Sequence, residues 1–315
     1  MDVSIIVPCY NSPPVLHTLI ERSEQEMENL GIKEYEFVLV NDGSPDPNTI
    51  VMLRCIAAAN KRVKVIDMAK NSGQPNSQVA ALRYSTGDII INMDDDMQTD
   101  PANIPLLYNK LMEGYDLVLG KYIKKRHNLF RRLLTWADNI FEHYFIGKPK
   151  HLSFTSFWIT RRYIADEIVK YHNPYSFMEG LFLRTAGKIA NVEMEHHERS
   201  EGKSGYTLGK LLKLWSNFTG FTILPLRIAG FMGVIAAICS ILGGIWTIVQ
   251  RLTTPDMPAG YATLVCLMLF FFGLVFIFIG ILGEYVGRTF MSVNATPQYV
   301  VKEFINFEES DEKHG

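Results

Sequence analysis

The stretch DIIINMDDD, residues 88–96, sets three consecutive carboxylates directly behind an apolar run. A short apolar run rich in β-branched residues is typical of a buried strand. Adjacent carboxylates repel one another and resist burial unless they are paired. The triplet is therefore either a solvated turn or a place where a positive charge binds.

Similar apolar runs occur on both sides of this strand and alternate with segments of helical periodicity. The runs VSIIVPC, YEFVLVN and VKVIDMA precede it, and YDLVLGKY follows it. Helical patterns fill the intervals and begin near Ser12, Pro47, Gln74 and Asn103. The alternation predicts an α/β domain built on a mostly parallel sheet that is covered on both faces.

Polar motifs directly follow four of the predicted strands, at residues 10–11, 41–44, 71–74 and 94–96. In open α/β sheets, ligands bind in the crevice at the carboxyl ends of the strands. We therefore expect the four motifs to meet in one crevice, which disfavours a triplet that is only a solvated turn.

Asp94 and Asp96 are two residues apart, so in an extended segment they point to one side and Asp95 points to the other. Carboxylate oxygens suit Mg²⁺ or Mn²⁺, which bind through one or two carboxylates together with substrate phosphates. The pair predicts a site for one of these ions. Asp42, behind another strand, either accepts a hydrogen bond from a nucleobase or stabilises a turn in NDGSPDP.

Composition and motifs exclude several classes of protein. The 315 residues carry a net charge of -2, which gives no basic field for nucleic acid. No GxGxxG fingerprint follows the first strand, and the sequence contains no GxxxxGKS/T loop. The usual modes of dinucleotide binding and P-loop chemistry are therefore disfavoured.

Two segments near the C-terminus are far more apolar than the rest. Residues 228–249 and 261–282 each comprise 22 residues without a charge, enough to cross a bilayer as a helix. A buried core helix is the alternative, but two such segments in tandem favour a transmembrane hairpin. We expect a catalytic domain at 1–207, a juxtamembrane amphipathic helix at 208–227, the hairpin at 228–283 and a cytoplasmic tail at 284–315.

Basic residues predict the orientation of this hairpin. Only Arg251 lies in its connecting loop, whereas basic residues occur on both flanks: Lys203, Lys210, Lys213 and Arg227 before it, and Arg288 and Lys302 after it. Because basic flanks stay in the cytoplasm, both chain ends are predicted to be cytoplasmic, in a multi-pass inner or plasma membrane protein.

A basic and apolar stretch also occupies residues 121–147. From Asn128 onward it has the amphipathic pattern of an interfacial helix, whose basic edge would bind a lipid phosphate or anionic head groups. Arg126 and Arg131 are the candidate phosphate ligands. An ordinary surface helix is the alternative interpretation.

The ordered series IIVPCYN, LVNDGS, KNSGQ and INMDDDMQ resembles the nucleotide-sugar motifs of family 2 glycosyltransferases. The resemblance covers nearly the whole chain and is greatest to the polyprenyl-phosphate glycosyltransferases, which include dolichyl-phosphate mannose synthase and bacterial undecaprenyl-phosphate sugar transferases. It implies a GT-A domain, with a Rossmann-like mixed sheet, followed by the two-helix hairpin. It also implies a homo-oligomer, with a tetramer among the options.

By position, the resemblance implies roles for individual residues. Asp94 and Asp96 would hold Mg²⁺ or Mn²⁺. The loop RSEGKSGY would neutralise a diphosphate through Arg199, Lys203, Ser204 and Tyr206. The nucleotide sugar would contact Pro8, Tyr10, Asn11, Asp42, Asn71, Gly73, Gln74, Asp94 and Asp95.

Three positions depart from the family pattern. Asn41 stands where an aspartate is common, which would weaken one polar contact to the base. Gly205 replaces a loop lysine, for which we expect Lys203 to substitute. Ser153 stands where relatives carry an aspartate, and Glu179 is the nearest carboxylate by analogy. The candidate catalytic residues are therefore Asp96, Glu179 and Ser153.

The resemblance implies an enzyme that transfers a sugar, with inversion, from a nucleoside diphosphate sugar to undecaprenyl or another polyprenyl phosphate at the cytoplasmic membrane face. A UDP-sugar is favoured and a GDP-sugar stays open, and the product would serve cell-envelope biogenesis. Alternatives are a degenerate membrane-anchored scaffold and transfer to another envelope glycan. A processive polysaccharide synthase is disfavoured because two spans cannot enclose a polymer channel.

Overall fold

The computed structural model describes residues 1–122, 148–149, 152–194, 224–253, 260–294 and 296–308. The chain divides into two compact units, residues 1–207 together with 295–315, and residues 208–294. The predicted interfacial helix from Asn128, most of the predicted juxtamembrane helix and the last residues of the tail lie outside the described residues.

An eight-stranded sheet forms the first unit, in the spatial order β7-β5-β6-β4-β1-β2-β3-β8. The strands are β1 (Val3–Cys9), β2 (Tyr35–Asn41), β3 (Val63–Met68), β4 (Ile89–Asn92), β5 (Leu117–Tyr122), β6 (Trp158–Arg161), β7 (Ile189–Met194) and β8 (Val301–Ile305). β1 and β2 are buried at every position, as expected for central strands covered on both faces.

The helices of this unit connect the strands. They are α1 (Leu16–Asn29), α2 (Pro47–Ala59), α3 (Gln74–Tyr84), α4 (Ile104–Met112), α5 (Arg162–Val169) and α6 (Met178–Thr185). α2 begins at a proline, and the side chain of Asp46 caps it by accepting a hydrogen bond from the backbone N–H of Asn48 at 2.9 Å. The predicted alternation of strands and helices is confirmed over residues 3–122.

Pairing is parallel at the centre of the sheet and between β5 and β7 at one edge, and it is antiparallel where β6 and β8 pair with their neighbours. β1 pairs in parallel with β2 and β4, and β2 pairs in parallel with β3. β6 lies between β4 and β5 and pairs antiparallel with both, so β5 runs in the same direction as β4 without pairing with it. The antiparallel strands β6 and β8 make the sheet mixed, as the family resemblance implies.

A buried ionic network joins β1, β2 and β3 near the amino ends of the strands. Glu36 is 1% exposed, and its carboxylate accepts hydrogen bonds from the hydroxyl of Ser4 at 2.7 Å and the backbone N–H of Thr86 at 2.6 Å. The ammonium of Lys64 lies 3.1 Å from its other oxygen. This carboxylate is therefore paired, as a buried charge requires.

Two long helices form the described part of the second unit, α7 (Leu224–Thr253) and α8 (Tyr261–Val293). Within them, Leu226–Trp246 and Phe270–Val293 are long and apolar enough to cross a membrane, with mean hydropathy 2.3 and 2.1. Large apolar side chains on both helices are exposed, among them Phe231, Trp246 and Phe276. The helices therefore do not resemble the buried core helices of a soluble protein.

The region after the hairpin differs from the predicted tail. α8 extends past the predicted end of the second span to Val293, and it includes an ion pair between Glu284 and Arg288 at 2.8 Å. Residues 301–305 then form β8, which pairs antiparallel with β3 at the edge of the sheet. Part of the expected tail is therefore an integral strand of the first unit.

Candidate active site

The loops that follow β1, β2, β3 and β4 all leave the same edge of the sheet, since these strands are parallel neighbours. Hydrogen bonds join the loops to one another. The backbone N–H of Asn11 donates to the hydroxyl of Ser44 at 3.0 Å, which joins the first loop to the second. The expectation that the polar motifs meet at one edge agrees with this geometry.

The loop after β1 presents an exposed aromatic ring. Tyr10 is 48% exposed, and Asn11 adopts a left-handed backbone conformation with φ 51°. Pro8, by contrast, is buried within β1. The structure thus places Tyr10 and Asn11 on the open edge and Pro8 in the strand interior, away from the exposed side chains of the loop.

Asp42 holds the loop between β3 and α3. It is 3% exposed, and its carboxylate accepts hydrogen bonds from the backbone N–H groups of Ser72 at 2.6 Å and Gly73 at 2.9 Å. Burial raises the pKa of Asp42, although these hydrogen bonds oppose the rise. Sequence reasoning left open a nucleobase contact or a turn residue. The geometry shows a residue that fixes the start of α3 from a neighbouring strand.

Gly43 makes this close approach of the second and third loops feasible. Its φ is +57°, and a Cβ built on it would lie 2.5 Å from the backbone nitrogen of Asn71 and 2.8 Å from the Cα of Lys70. Neither backbone atom can rotate away from such a contact. Only glycine fits here without moving residues 70–71.

We expect Gly43→Ala to destabilise the protein more than Gly31→Ala. Gly31 also has a positive φ, +73°, but a Cβ there would meet nothing within 4 Å. Gly31→Ala should therefore cost only the strain of the left-handed backbone, about 1–2 kcal/mol. Gly43→Ala should cost at least about 1 kcal/mol more, because the new methyl group overlaps backbone atoms. Urea unfolding of both variants measures the difference, and equal losses would contradict the contact.

The three aspartates after β4 have different partners. One oxygen of Asp94 accepts a hydrogen bond from the side-chain amide of Gln74 at 3.0 Å, and the other accepts from the hydroxyl of Ser156. Asp95 instead accepts from the hydroxyl of Ser12, in the loop after β1. The middle carboxylate thus has its partner in a different segment from the two partners of Asp94.

Asp96 is bound within its own turn. Its carboxylate accepts from the backbone N–H of Gln98 at 3.1 Å and from the side-chain amide of the same residue at 2.5 Å. Burial raises the pKa of nearby Tyr122; its hydrogen bond with Thr99 lowers this pKa, and the charges of Asp94 and Asp96 raise it. Both carboxylates therefore act electrostatically on the same phenol.

Burial raises the pKa of Asp95, and the charges of Asp94 and Asp96 raise it further, against the hydrogen bonds from Ser12 and the backbone of Tyr10. The charges of Asp94 and Asp96 thus disfavour ionisation of Asp95. A cation beside Asp94 and Asp96 would oppose this effect.

Among the residues that the structure describes, no group of three or more His, Cys, Asp or Glu side chains is placed to bind a metal ion. The donor set at the triplet is therefore the half-buried pair Asp94 and Asp96. This set fits Mg²⁺ or Mn²⁺, because such ions bind through one or two carboxylates and take the remaining ligands from phosphates and water.

The candidates downstream of the triplet lie in two separate segments. The backbone N–H of Ser153 donates to the side-chain oxygen of Asn191 in β7 at 2.8 Å, and the backbone carbonyl of Ser153 accepts from the side-chain nitrogen of Asn191 at 2.8 Å. Glu179 lies in the first turn of α6 and is half-buried. The six candidate phosphate ligands lie outside the described residues: Arg126, Arg131, Arg199, Lys203, Ser204 and Tyr206.

Sequence reasoning missed several polar residues that build this edge. Ser156 and Ser12 bind the aspartates, and Asn76 donates to the backbone carbonyls of Ser72 at 2.8 Å and Pro174 at 3.0 Å. Ser156 lies three residues after the candidate Ser153 and Ser12 directly follows CYN, so closeness to these positions was the only available signal.

The interpretation of Asn41 as a weakened base contact is not what the structure shows. Asn41 is buried, its amide nitrogen donates to Asp67 at 2.7 Å, and its amide oxygen accepts from the hydroxyl of Ser44 at 2.6 Å. The amide nitrogen and the amide oxygen of Asn41 therefore both have hydrogen-bond partners within the protein.

Comparison with solved structures shows the fold. The chain is similar to glucosyl-3-phosphoglycerate synthase from Mycobacterium tuberculosis in complex with phosphoglyceric acid, with 15% identity over 70% of this chain and 80% of that chain and a TM-score of 0.52. The same enzyme in complex with Mn²⁺ and UDP-glucose gives 15% identity, 70% and 79% coverage and a TM-score of 0.52. Mannosyl-3-phosphoglycerate synthase from Rubrobacter xylanophilus gives 16% identity, 73% and 75% coverage and a TM-score of 0.49.

The family model described as glycosyl transferase family 2 matches residues 4–169, more than half of the chain. The matched region runs from β1 to the end of α5 and contains all four loops of the candidate site. The described sheet and its covering helices form the GT-A fold, followed in sequence by two apolar helices. The chain therefore belongs to glycosyl transferase family 2.

Proposed function

We propose that this protein transfers a sugar from a nucleoside diphosphate sugar, preferably UDP-linked, to a polyprenyl phosphate at the cytoplasmic face of a membrane. The observation that supports it best is the placement of Asp94 and Asp96 at the carboxyl edge of a family 2 domain whose chain continues into two exposed apolar helices. A soluble acceptor would give those helices no purpose.

For the donor side, the support comes from the shared fold and the donor set. A solved structure with this fold contains Mn²⁺ and UDP-glucose. In the proposal, Tyr10 and Asn11 contact the base, and Asn71 and Gln74 lie beside the diphosphate near the start of α3. A divalent cation held by Asp94 and Asp96 would neutralise charge on the diphosphate as it departs.

The remaining donor-site candidates act indirectly in this proposal. Asp42 fixes Ser72 and Gly73 through its hydrogen bonds, and thereby fixes the start of α3. Asp95 fixes the loop after β1 through Ser12. Pro8 supports that loop from within β1. Contacts with the nucleotide are then made by the side chains that these residues position.

For the acceptor side, a lipid phosphate explains the chemistry as well as the anchor. A phosphate monoester has its second pKa near ~6, so it is largely a dianion at neutral pH and needs no base to become a nucleophile. Ser153 can therefore stand where relatives carry an aspartate without loss of the reaction. Direct attack of the phosphate oxygen on the anomeric carbon, with departure of the nucleoside diphosphate, gives inversion.

The basic residues complete the acceptor side of the proposal. Two phosphate groups must approach each other, so cations are needed. We assign this role to Arg126, Arg131, Arg199 and Lys203, aided by Ser204 and Tyr206. Glu179, in the first turn of α6, would orient the sugar or the acceptor.

Chain connectivity supports a hairpin with both ends on one side of the membrane. β8 follows α8 in sequence and pairs with β3, so the chain leaves the sheet unit before α7 and returns to it after α8. An even number of crossings satisfies this connectivity. Together with the basic flanks, it supports a multi-pass protein of the inner or plasma membrane whose catalytic unit is cytoplasmic. The homo-oligomer is proposed on the family resemblance alone.

A transfer assay with the purified full chain in detergent tests the function. We expect Mn²⁺-dependent transfer of sugar from a panel of UDP- and GDP-sugars to undecaprenyl phosphate, with little transfer to 3-phosphoglycerate or to a polyprenol that lacks the phosphate. Transfer to phosphoglycerate alone would overturn the lipid acceptor. Binding of nucleotide sugars without transfer to any acceptor would favour the degenerate scaffold.

A further inference from the structure

A continuous chain of polar contacts joins the last strand of the sheet to the loop after the first. The ammonium of Lys302 in β8 lies 3.5 Å from one oxygen of Asp67, and the other oxygen accepts from Asn41 at 2.7 Å. Asn41 in turn accepts from the hydroxyl of Ser44 at 2.6 Å, and Ser44 accepts from the backbone N–H of Asn11 at 3.0 Å. The relay thus ends at the open edge of the site.

Asn41 donates on one side of the relay, to Asp67, and accepts on the other, from Ser44. Asn41 and Asp67 are 4% and 3% exposed, so water cannot substitute for a missing partner. The ionised Asp67 is an acceptor only, which fixes the amide nitrogen of Asn41 toward it and the amide oxygen toward Ser44. A carboxylate at position 41 would instead face another carboxylate.

The far end of the relay controls a backbone conformation. Asn11 has φ 51°, and its side-chain oxygen also accepts from the backbone N–H of Asp46 at 3.4 Å. Ser44 and Asp46 therefore hold Asn11 from the loop after β2. Tyr10, the exposed ring, directly precedes Asn11 in the loop after β1.

We propose that Asn41 is a positioning residue for the nucleoside diphosphate, acting through Ser44 on Asn11 and Tyr10. This inference rests on the proposed function. The amide of Asn41 matches the buried carboxylate of Asp67, which β8 also contacts through Lys302. Asn41 thereby keeps the loop after β1 in place without a second buried charge.

The test substitution is Asn41→Asp, with binding of UDP and of GDP in the presence of Mn²⁺ measured by calorimetry on the full chain in detergent. The introduced carboxyl and Asp67 would share one proton at low pH, and the protonated carboxyl can still donate a hydrogen bond. Two carboxyl groups this close together raise the pKa of one of them strongly, because like charges repel. As the pH rises further, both carboxyl groups ionise and repel each other. The ratio of variant to wild-type dissociation constants should rise from within about threefold near pH 5.5 to about tenfold or more near pH 8.

Other groups around this pair do not produce the same profile. Cys9 and Asp42 neighbour Asn41 on β1 and β2, Lys302 pairs with Asp67, and Glu303 pairs with Arg54. All of them are present in the wild type, as is the titration of the nucleotide phosphate. The ratio of variant to wild-type dissociation constants at each pH therefore reports only the effect of the new carboxyl group.

The double variant Asn41→Asp/Asp67→Asn is the matched rescue. It exchanges the amide and the carboxylate, so one donor again faces one acceptor, and affinity should return to within about threefold of wild type at every pH. Near-UV circular dichroism verifies that each variant is folded. A ratio that does not change with pH, or a double variant no better than Asn41→Asp, would overturn the assignment of Asn41. A wild-type chain that binds neither UDP nor GDP would overturn the proposed function itself.

Discussion

Asp96→Asn is expected to lower metal-dependent sugar transfer by at least about a hundredfold, the scale of losing one group that stabilises charge in a transition state. The substitution keeps the size of the side chain and removes one negative charge from the Asp94 and Asp96 pair. The amide oxygen can still accept from the backbone of Gln98, so the turn should persist. The effect is measured as the rate of sugar transfer. Electron paramagnetic resonance measures the affinity for Mn²⁺ in the presence of UDP.

The matched control is Asp88→Asn. Asp88 is exposed and directly precedes β4, whereas the triplet directly follows the same strand. The same chemical change at the opposite end of one strand should leave both transfer and Mn²⁺ affinity near wild type. An Asp96→Asn variant with more than about half of wild-type transfer would contradict a role for this carboxylate in holding the cation.

Glu36→Ala is expected to cost about 3–5 kcal/mol of the free energy of unfolding, because it leaves a buried cation without its partner. The side chain of Lys64 is 14% exposed, and the hydroxyl of Ser4 and the N–H of Thr86 would also lose their acceptor. Urea unfolding of the detergent-solubilised chain measures the loss. Glu167→Ala, which removes an exposed pair with Lys170, is the control and should change little.

The effect of Glu36 should depend on pH in a definite direction. Burial tends to raise the pKa of Glu36, but hydrogen bonds from Ser4 and Thr86 and the charge of Lys64 outweigh burial, so its pKa lies below the ordinary value. A carboxyl group whose pKa is lowered by folding stabilises the protein at pH values above its pKa in the unfolded chain. That stabilisation is lost as the pH falls through its pKa in the folded protein. The stability difference between wild type and Glu36→Ala should therefore narrow below about pH 4. A constant difference down to pH 3 would contradict the network.

Much of the sheet could be predicted because its central strands are buried on both faces. β1, β2, β3 and β4 read as largely apolar runs, α2 begins at Pro47, and α3 begins directly after Gly73. β6 and β8 could not be predicted in the same way. β6 lies antiparallel between β4 and β5, and β8 pairs with a strand more than two hundred positions away in the chain. The place of both strands depends on pairing with segments that are distant in sequence.

Within the site, the motifs predicted which loops would meet but not which atoms would bind one another. The spacing of Asp94, Asp95 and Asp96 predicted that the middle carboxylate points away from the outer two, and in the structure Asp95 binds Ser12 whereas Asp94 binds Gln74 and Ser156. The partners Ser12 and Ser156 come from distant segments, so spacing contains no information about them. Asn41 was misread for the same reason, since its partner Asp67 is 26 residues away.

The family, the alternation of strands and helices in the first half, and the two apolar segments could be identified from the amino-acid order, because each is encoded by residues close together in the chain. The mixed order of the sheet, the return of the chain after the hairpin to form β8, and the internal hydrogen bonds of Asn41 and Asp42 became visible only in the folded protein. These depend on hydrogen bonds between segments far apart in sequence, which form only once the strands have paired and excluded water.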